Sequence, residues 1–325
     1  MSVIFSQPQW TPSHRPPYPF HRPLCPSYYF QTLAAPLSLS VHVFIEISKT
    51  SAVFVCTDWR MVKEIEENMD LVLGMTSVDD ELFVLFYRDD DQVAVYNIND
   101  YKLLRHLSLP GLEGDQSNNM MSCVRRKRLY VSNRDSNCIH RFDLSSSAIT
   151  KWSVPNSPEL LSVTLSSNLL VACGEKLVEL SADSGQCVRE IKLQSDIKCL
   201  CHAVQLTTGQ FVVCHGYWDD GDFHQYVCLV DDEGKVTRSY VGQPGSFEQL
   251  RGPCYLAVDE DSQFVFVADF GSGLLGRRVV LLSPTLEFVC DYSDEEVSGP
   301  HRLYLHQATR RLYVANGQTI VVIQL

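Results

Sequence analysis

Three stretches of the 325-residue chain hold residue types that could do chemistry. Cys199-Leu-Cys201-His202 collects soft metal ligands, but their spacing does not fit structural zinc sites, which take paired cysteines two to four residues apart. The run "HGYWDDGDFHQ" (215–225) sets Tyr217, Trp218, Phe223 and His224 among three carboxylates. It is too short to supply the ligands of a twelve-residue calcium loop. Exposed aromatics beside charge are instead the residues on which protein partners anchor. Arg125-Arg126-Lys127-Arg128 is a compact cationic run of the kind that meets phosphate. Neither a Ser-His-Asp order nor a phosphate-cradling glycine loop is visible.

The elements that position these residues follow from an internal repeat. Two large apolar residues and a Val recur as Leu82-Phe83-Val84, Leu129-Tyr130-Val131, Leu169-Leu170-Val171, Phe211-Val212-Val213, Val265-Phe266-Val267 and Leu312-Tyr313-Val314, with a mean step of 46 residues. Each copy has one apolar strand upstream and two downstream, with period-2 alternation and polar turns such as "SADSGQ" and "DDEGK". Four antiparallel strands repeated six times predict an all-β chain, a six-bladed β-propeller over 57–325. The sixth copy has only three strands. Its fourth comes from the front of the chain: "RMVKEIEENMD" (60–70) aligns with "QCVREIKLQSD" (186–196), the outer strand of the third copy. Met61–Glu67 is therefore expected to pair with Thr319–Leu325 and close the ring. Residues 1–56 carry eight prolines between positions 8 and 36 and read as an irregular leader.

The net charge is −12, and residues 57–325 hold 38 acids against 24 bases. Such a body repels nucleic-acid backbones and anionic membrane. No segment is apolar enough for a membrane span. The twelve scattered cysteines, with no CxxC pair, read as buried free thiols in a reducing compartment, which predicts a cytoplasmic protein.

The blade pattern resembles the NHL-repeat family. The segments that carry the likeness are "GPCYLAVDEDSQFVFVADFGSGLLGRRVVLLSP" (252–284), "RLYVSNRDSNCIHRFD" (128–143) and "SGPHRLYLHQATRRLYVANG" (298–317). The family's tripartite-motif members carry RING and B-box domains before the propeller. Residues 1–56 offer too few Cys and His ligands for either, so no ligase activity is expected from this chain alone. Several NHL relatives bind single-stranded RNA on a basic loop face. Here the loops joining second to third strands carry nine acids, Asp269 among them, and three bases, so RNA is not the expected partner. The expected function is a non-catalytic, monomeric platform without cofactor that binds a protein, a basic one by charge. Tyr217, Trp218, Phe223, Phe270 and Arg277, from adjacent blades, are the predicted anchors. The alternative is a metal-dependent hydrolase or lyase, since enzymes on six-bladed propellers place a metal at the channel mouth. Asp70, Asn119, Glu159 and His301 are the candidate ligands for that reading.

Overall fold

The computed structural model describes residues 59–66, 71–86, 92–109, 119–154, 157–219, 222–242, 246–271, 277–293 and 297–325. They form twenty-four strands in six four-stranded antiparallel sheets. The blades are β2–β5 (Val72–Ser108), β6–β9 (Asn119–Ser153), β10–β13 (Leu161–Lys192), β14–β17 (Leu200–Tyr240) and β18–β21 (Pro253–Tyr292). The sixth blade is β22 (Pro300–His306), β23 (Arg311–Asn316), β24 (Thr319–Gln324) and, on the outside, β1 (Arg60–Glu66).

The closing strand pairs as its sequence predicts. Ile65 stands opposite Ile320 and Met61 opposite Ile323, and Val62 bulges out of the ladder. In β13 (Cys187–Lys192) the matching residue, Val188, bulges at the same place, with Ile191 opposite Leu177 and Cys187 opposite Leu180. The outer strands of the first, fourth and fifth blades break register at the equivalent point. A bulge bends and twists the strand that carries it, so five of the six rims are shaped by one device. Trp59 pins the closing strand to its neighbour blade, with its ring 5.6 Å from Phe266 and 5.9 Å from Tyr292.

The core consists of six slabs, each shared by two adjacent blades. Alternation sends successive side chains of a middle strand to opposite neighbours: Leu312 and Val314 meet the fifth blade, Tyr313 and Ala315 the first. Each fully buried aliphatic side chain contributes about 1.5–3 kcal/mol. Removing any blade therefore strips two slabs.

Polar side chains reinforce the slabs at the rim. Asp269 and Arg278, both almost wholly buried, pair at 3.3 Å. Asp269 also accepts the amides of Arg251 and Gly252, while Arg278 donates to Asp291 and to the carbonyls of Phe247 and Gln249. Asp269 is thus an internal fastener of the fifth blade and does not belong to the charge of the loop face, where the sequence reading put it. Asp269→Ala leaves Arg278 buried without one of its carboxylates, a change that costs roughly 3–5 kcal/mol. A urea midpoint unchanged within error would contradict that role.

Among the described cysteines nine are free, five of them buried, and Cys290 is disulfide-bonded. The reading as buried free thiols therefore holds for five; Cys187 and Cys199 are exposed thiols, Cys201 and Cys254 are half-buried, and Cys290 is no thiol.

Candidate functional site

The inner strands β2, β6, β10, β14, β18 and β22 surround the channel, and polar residues interrupt their apolar pattern. Asn119 accepts the Leu161 amide at 2.9 Å and donates across the channel to the Tyr255 hydroxyl at 3.2 Å. His202 donates from Nε2 to the Leu161 carbonyl and accepts the Leu256 amide at Nδ1. Its ring stacks 4.0 Å from Tyr255, and the Arg302 guanidinium lies over the same tyrosine at 5.5 Å. His301 donates from Nε2 to the Val72 carbonyl at 2.7 Å, and Arg302 donates to the Leu73 carbonyl. Thr76 and Ser122 join the first two blades at 2.6 Å, and Gln307 reaches Val258 between the last two. Every pair of neighbouring blades is thereby linked by at least one hydrogen bond near the channel.

This circuit fixes the protonation of its histidines. Burial pushes His202 down to about 3, with the nearby Arg302 charge adding to the effect. Burial and the same charge push His301 to about 4. Both rings are neutral at physiological pH and both of their nitrogens have partners.

Those bonds bear on the metal candidates. Asn119 is fully buried and His301 nearly so, and both have spent their polar atoms on the blades around them. Glu159 is paired with Arg134 at 3.4 Å. Asp70 lies outside the described residues. Among the described residues no group of three or more His, Cys, Asp or Glu is placed to hold a metal ion. The sulfur-rich stretch is also committed: His202 belongs to the circuit and Cys201 donates to the Cys199 carbonyl.

The run 215–225 differs most from its expectation. It is no loop. β15 (Phe211–Asp219) and β16 (Asp222–Val230) stay paired to their ends, with Tyr217 opposite His224, Trp218 opposite Phe223 and Asp219 opposite Asp222. The backbones of Tyr217, Trp218 and Phe223 therefore sit on a hairpin; their side chains are outside the described residues. β14 (Leu200–Gln205) accompanies β15 only to His215, and β17 (Val236–Tyr240) accompanies β16 only from Val227. The hairpin outruns both neighbours. Phe270 is half-buried and turns toward the sixth blade, its ring edge-on to His301 at 6.5 Å and against Gly299. Arg277 is exposed at the start of the following segment. Phe270 thus packs across the boundary between the fifth and sixth blades.

The cationic run is consumed by the fold. It forms a tight turn in which Lys127 takes φ 49°. Arg126 and Arg128 both reach Asp183 of the next blade, at 3.2 and 2.7 Å, and Lys127 reaches Asp79 of the previous one at 2.8 Å. Arg141 adds a bond to the Asp183 carbonyl. Asp183 is a hub that sequence reading missed, since nothing local announces that a turn acid will collect arginines from another blade. With three of its four charges paired, the run offers little to a phosphate chain. Single-stranded RNA is expected to show no salt-sensitive binding at physiological ionic strength. A steep salt slope in a filter-binding titration would contradict this.

No family model matches the chain, and no curated protein matches it. Solved structures do. The resemblance is one of fold. Virginiamycin B lyase from Staphylococcus aureus aligns at 12% identity with a TM-score of 0.57, covering 82% of this chain and 99% of that one. Hydrazine synthase from Kuenenia stuttgartiensis aligns at 13% identity and 0.59, over 80% and 97%. The Cps50 (Swd1) β-propeller domain of Myceliophteria thermophila aligns at 9% and 0.56, over 82% and 99%. At such identities the likeness shows the fold alone, and one fold hosts many functions. No helix among the described residues is long and apolar enough to cross a membrane.

Proposed function

We propose that this propeller, of NHL-like repeat pattern, is a non-catalytic platform that binds a basic protein partner on the face carrying the β15–β16 hairpin. The observation that carries the reading is that hairpin's projection beyond both neighbouring strands. A rigid scaffold with one outgrown element is how repeat folds commonly present a binding surface. Trp218 and Phe223, opposite one another on the ladder, are of the residue types that anchor interfaces. The acids of the run would steer a cationic partner and speed its approach more than they tighten the complex. We place the protein in the cytoplasm as a monomer; the nine free thiols favour a reducing compartment, and the Cys290 disulfide counts against one. A hydrolase or lyase at the channel mouth has less behind it, because Asn119, Glu159 and His301 are each engaged in the fold.

Trp218→Ala is expected to weaken partner binding by about 2 kcal/mol, the lower bound for a hot-spot truncation, without changing the melting temperature. Affinity capture with wild type and variant side by side tests it. Normal binding by Trp218→Ala, together with loss of binding on replacing Arg125 on the opposite face, would place the surface on the other side of the disc.

A further inference from the structure

The binding mode follows from the backbone of the same hairpin, and this step rests on the platform reading. In an antiparallel ladder, residues alternate between turning their amide and carbonyl toward the partner strand and turning them away. The Gly216 amide donates to the Lys198 carbonyl at 3.2 Å, on the side away from β16. The phase of the ladder is thereby set. Gly216 and its opposite number Gln225 turn their backbone groups outward, and so do Trp218 and Phe223 two residues on. On the β15 side Gly216 is taken, which leaves Trp218 alone. On the β16 side Phe223 and Gln225 are consecutive outward positions, in line with Val227, where the ladder with β17 begins at Tyr240. β17 does not continue along them: after Tyr240 the chain turns off, and the Val241 carbonyl accepts the Leu250 amide. Among the described residues no strand other than β15 pairs with β16 between Asp222 and Gln225.

We infer that this stretch of β16 is an acceptor edge for β-strand addition, taking an extended basic peptide as a short fifth strand in line with β17. Main-chain bonds to Phe223 and Gln225 supply the attachment. Charge supplies the choice of peptide. From Lys198 to Lys235 the intervening sequence has no Lys or Arg, and Asp219, Asp220 and Asp222 stand at the hairpin end. An acidic rim also discourages pairing of this edge with a second, equally acidic copy of itself.

The probe is a blocked nonapeptide of alternating Lys and Val, titrated calorimetrically into the full-length protein at low salt. It is expected to bind, and binding should weaken as salt rises. Methylating the backbone nitrogens on one edge of the peptide should abolish binding to wild-type protein, with side chains and charge unchanged. Gln225→Pro removes an outward amide without removing a hairpin bond and should lower affinity at least tenfold. Gln225→Ala, which keeps the amide, should stay within threefold of wild type. Equal binding by the methylated peptide, undiminished binding by a folded Gln225→Pro protein, or no binding by the parent peptide would each overturn the inference. The two readings fail separately. Trp218-dependent partner capture with an indifferent methylated peptide leaves the platform standing without strand addition; a methylation-sensitive peptide with Trp218-independent capture leaves the edge and removes that anchor.

Discussion

Deleting residues 1–70 lowers the melting temperature by about 10 °C or more below that of the protein lacking only 1–56. The first truncation removes β1 and Trp59; the second keeps both. β1 contributes the buried Ile65 to the slab between the sixth and first blades, and Trp59 and Met61 to the slab between the fifth and sixth. Losing one large buried side chain costs roughly 2–5 kcal/mol, and here one buried and two half-buried side chains go together with a six-pair ladder. For a body of this size each kcal/mol is worth about 2–4 °C. The deletion also bares the edge of β24, whose Ile320, Val321, Val322 and Ile323 are all buried, so aggregation should accompany the loss. Calorimetry on the two truncations decides the matter: equal melting temperatures would mean that β1 does not close the ring.

The second large effect is acid lability. His202, His215 and His301 are buried, with pKa values pushed down to about 3, 4 and 4, in each case chiefly by the cost of burying charge. A histidine whose folded pKa lies below its unfolded value near 6.5 favours the fold while it is neutral. Its contribution is therefore complete above about pH 6.5 and is lost as the pH falls through 4. At about 1.4 kcal/mol per pKa unit, each such group contributes on the order of 3 kcal/mol at neutral pH. The mechanism is visible at His202, where a second proton would displace the Leu256 amide from Nδ1. Stability should fall steeply between pH 6 and pH 4, well before most carboxylates are protonated. Three of the ten histidines should fail to titrate above pH 5 by NMR. Ten ordinary titrations near 6.5 would refute this account.

The architecture was legible because the repeat is written in alternation, and alternation assigns each side chain to a slab. The alignment of residues 60–70 with 186–196 matched Val62 to Val188, but that both leave the ladder as bulges is visible only in the structure. What alternation does not carry is the identity of a distant partner. Asn119 and Tyr255 lie 136 residues apart, and nothing near either says that they meet across the channel. Asp183 and its arginines are the same case. The hairpin is different, because a signal was there. Asp220-Gly221 between aromatic-rich flanks is a two-residue hairpin signature, but the density of acids around it reads more readily as a loop. Phe270 reads as a neighbour of the hairpin from blade order, and its packing against Gly299 and His301 of the sixth blade is not written in that order.

The pairing of β1 with β24 also has a consequence in time. During synthesis the first strand of the ring emerges well before its partner exists. About 250 further residues must follow, which at 5–20 residues per second takes roughly 12–50 s. Meanwhile the growing chain can stack blades in order, each slab forming as its second sheet arrives, while β1 has nothing to pair with. Drawing the two ends together across that separation costs about 5 kcal/mol of chain entropy by a flexible-loop estimate, unless the blades already stacked have curved round to bring them near. Pairing β1 with β24 is thus the last pairing that a chain folding during synthesis can make, and until it occurs the ring carries an unpaired strand at each end.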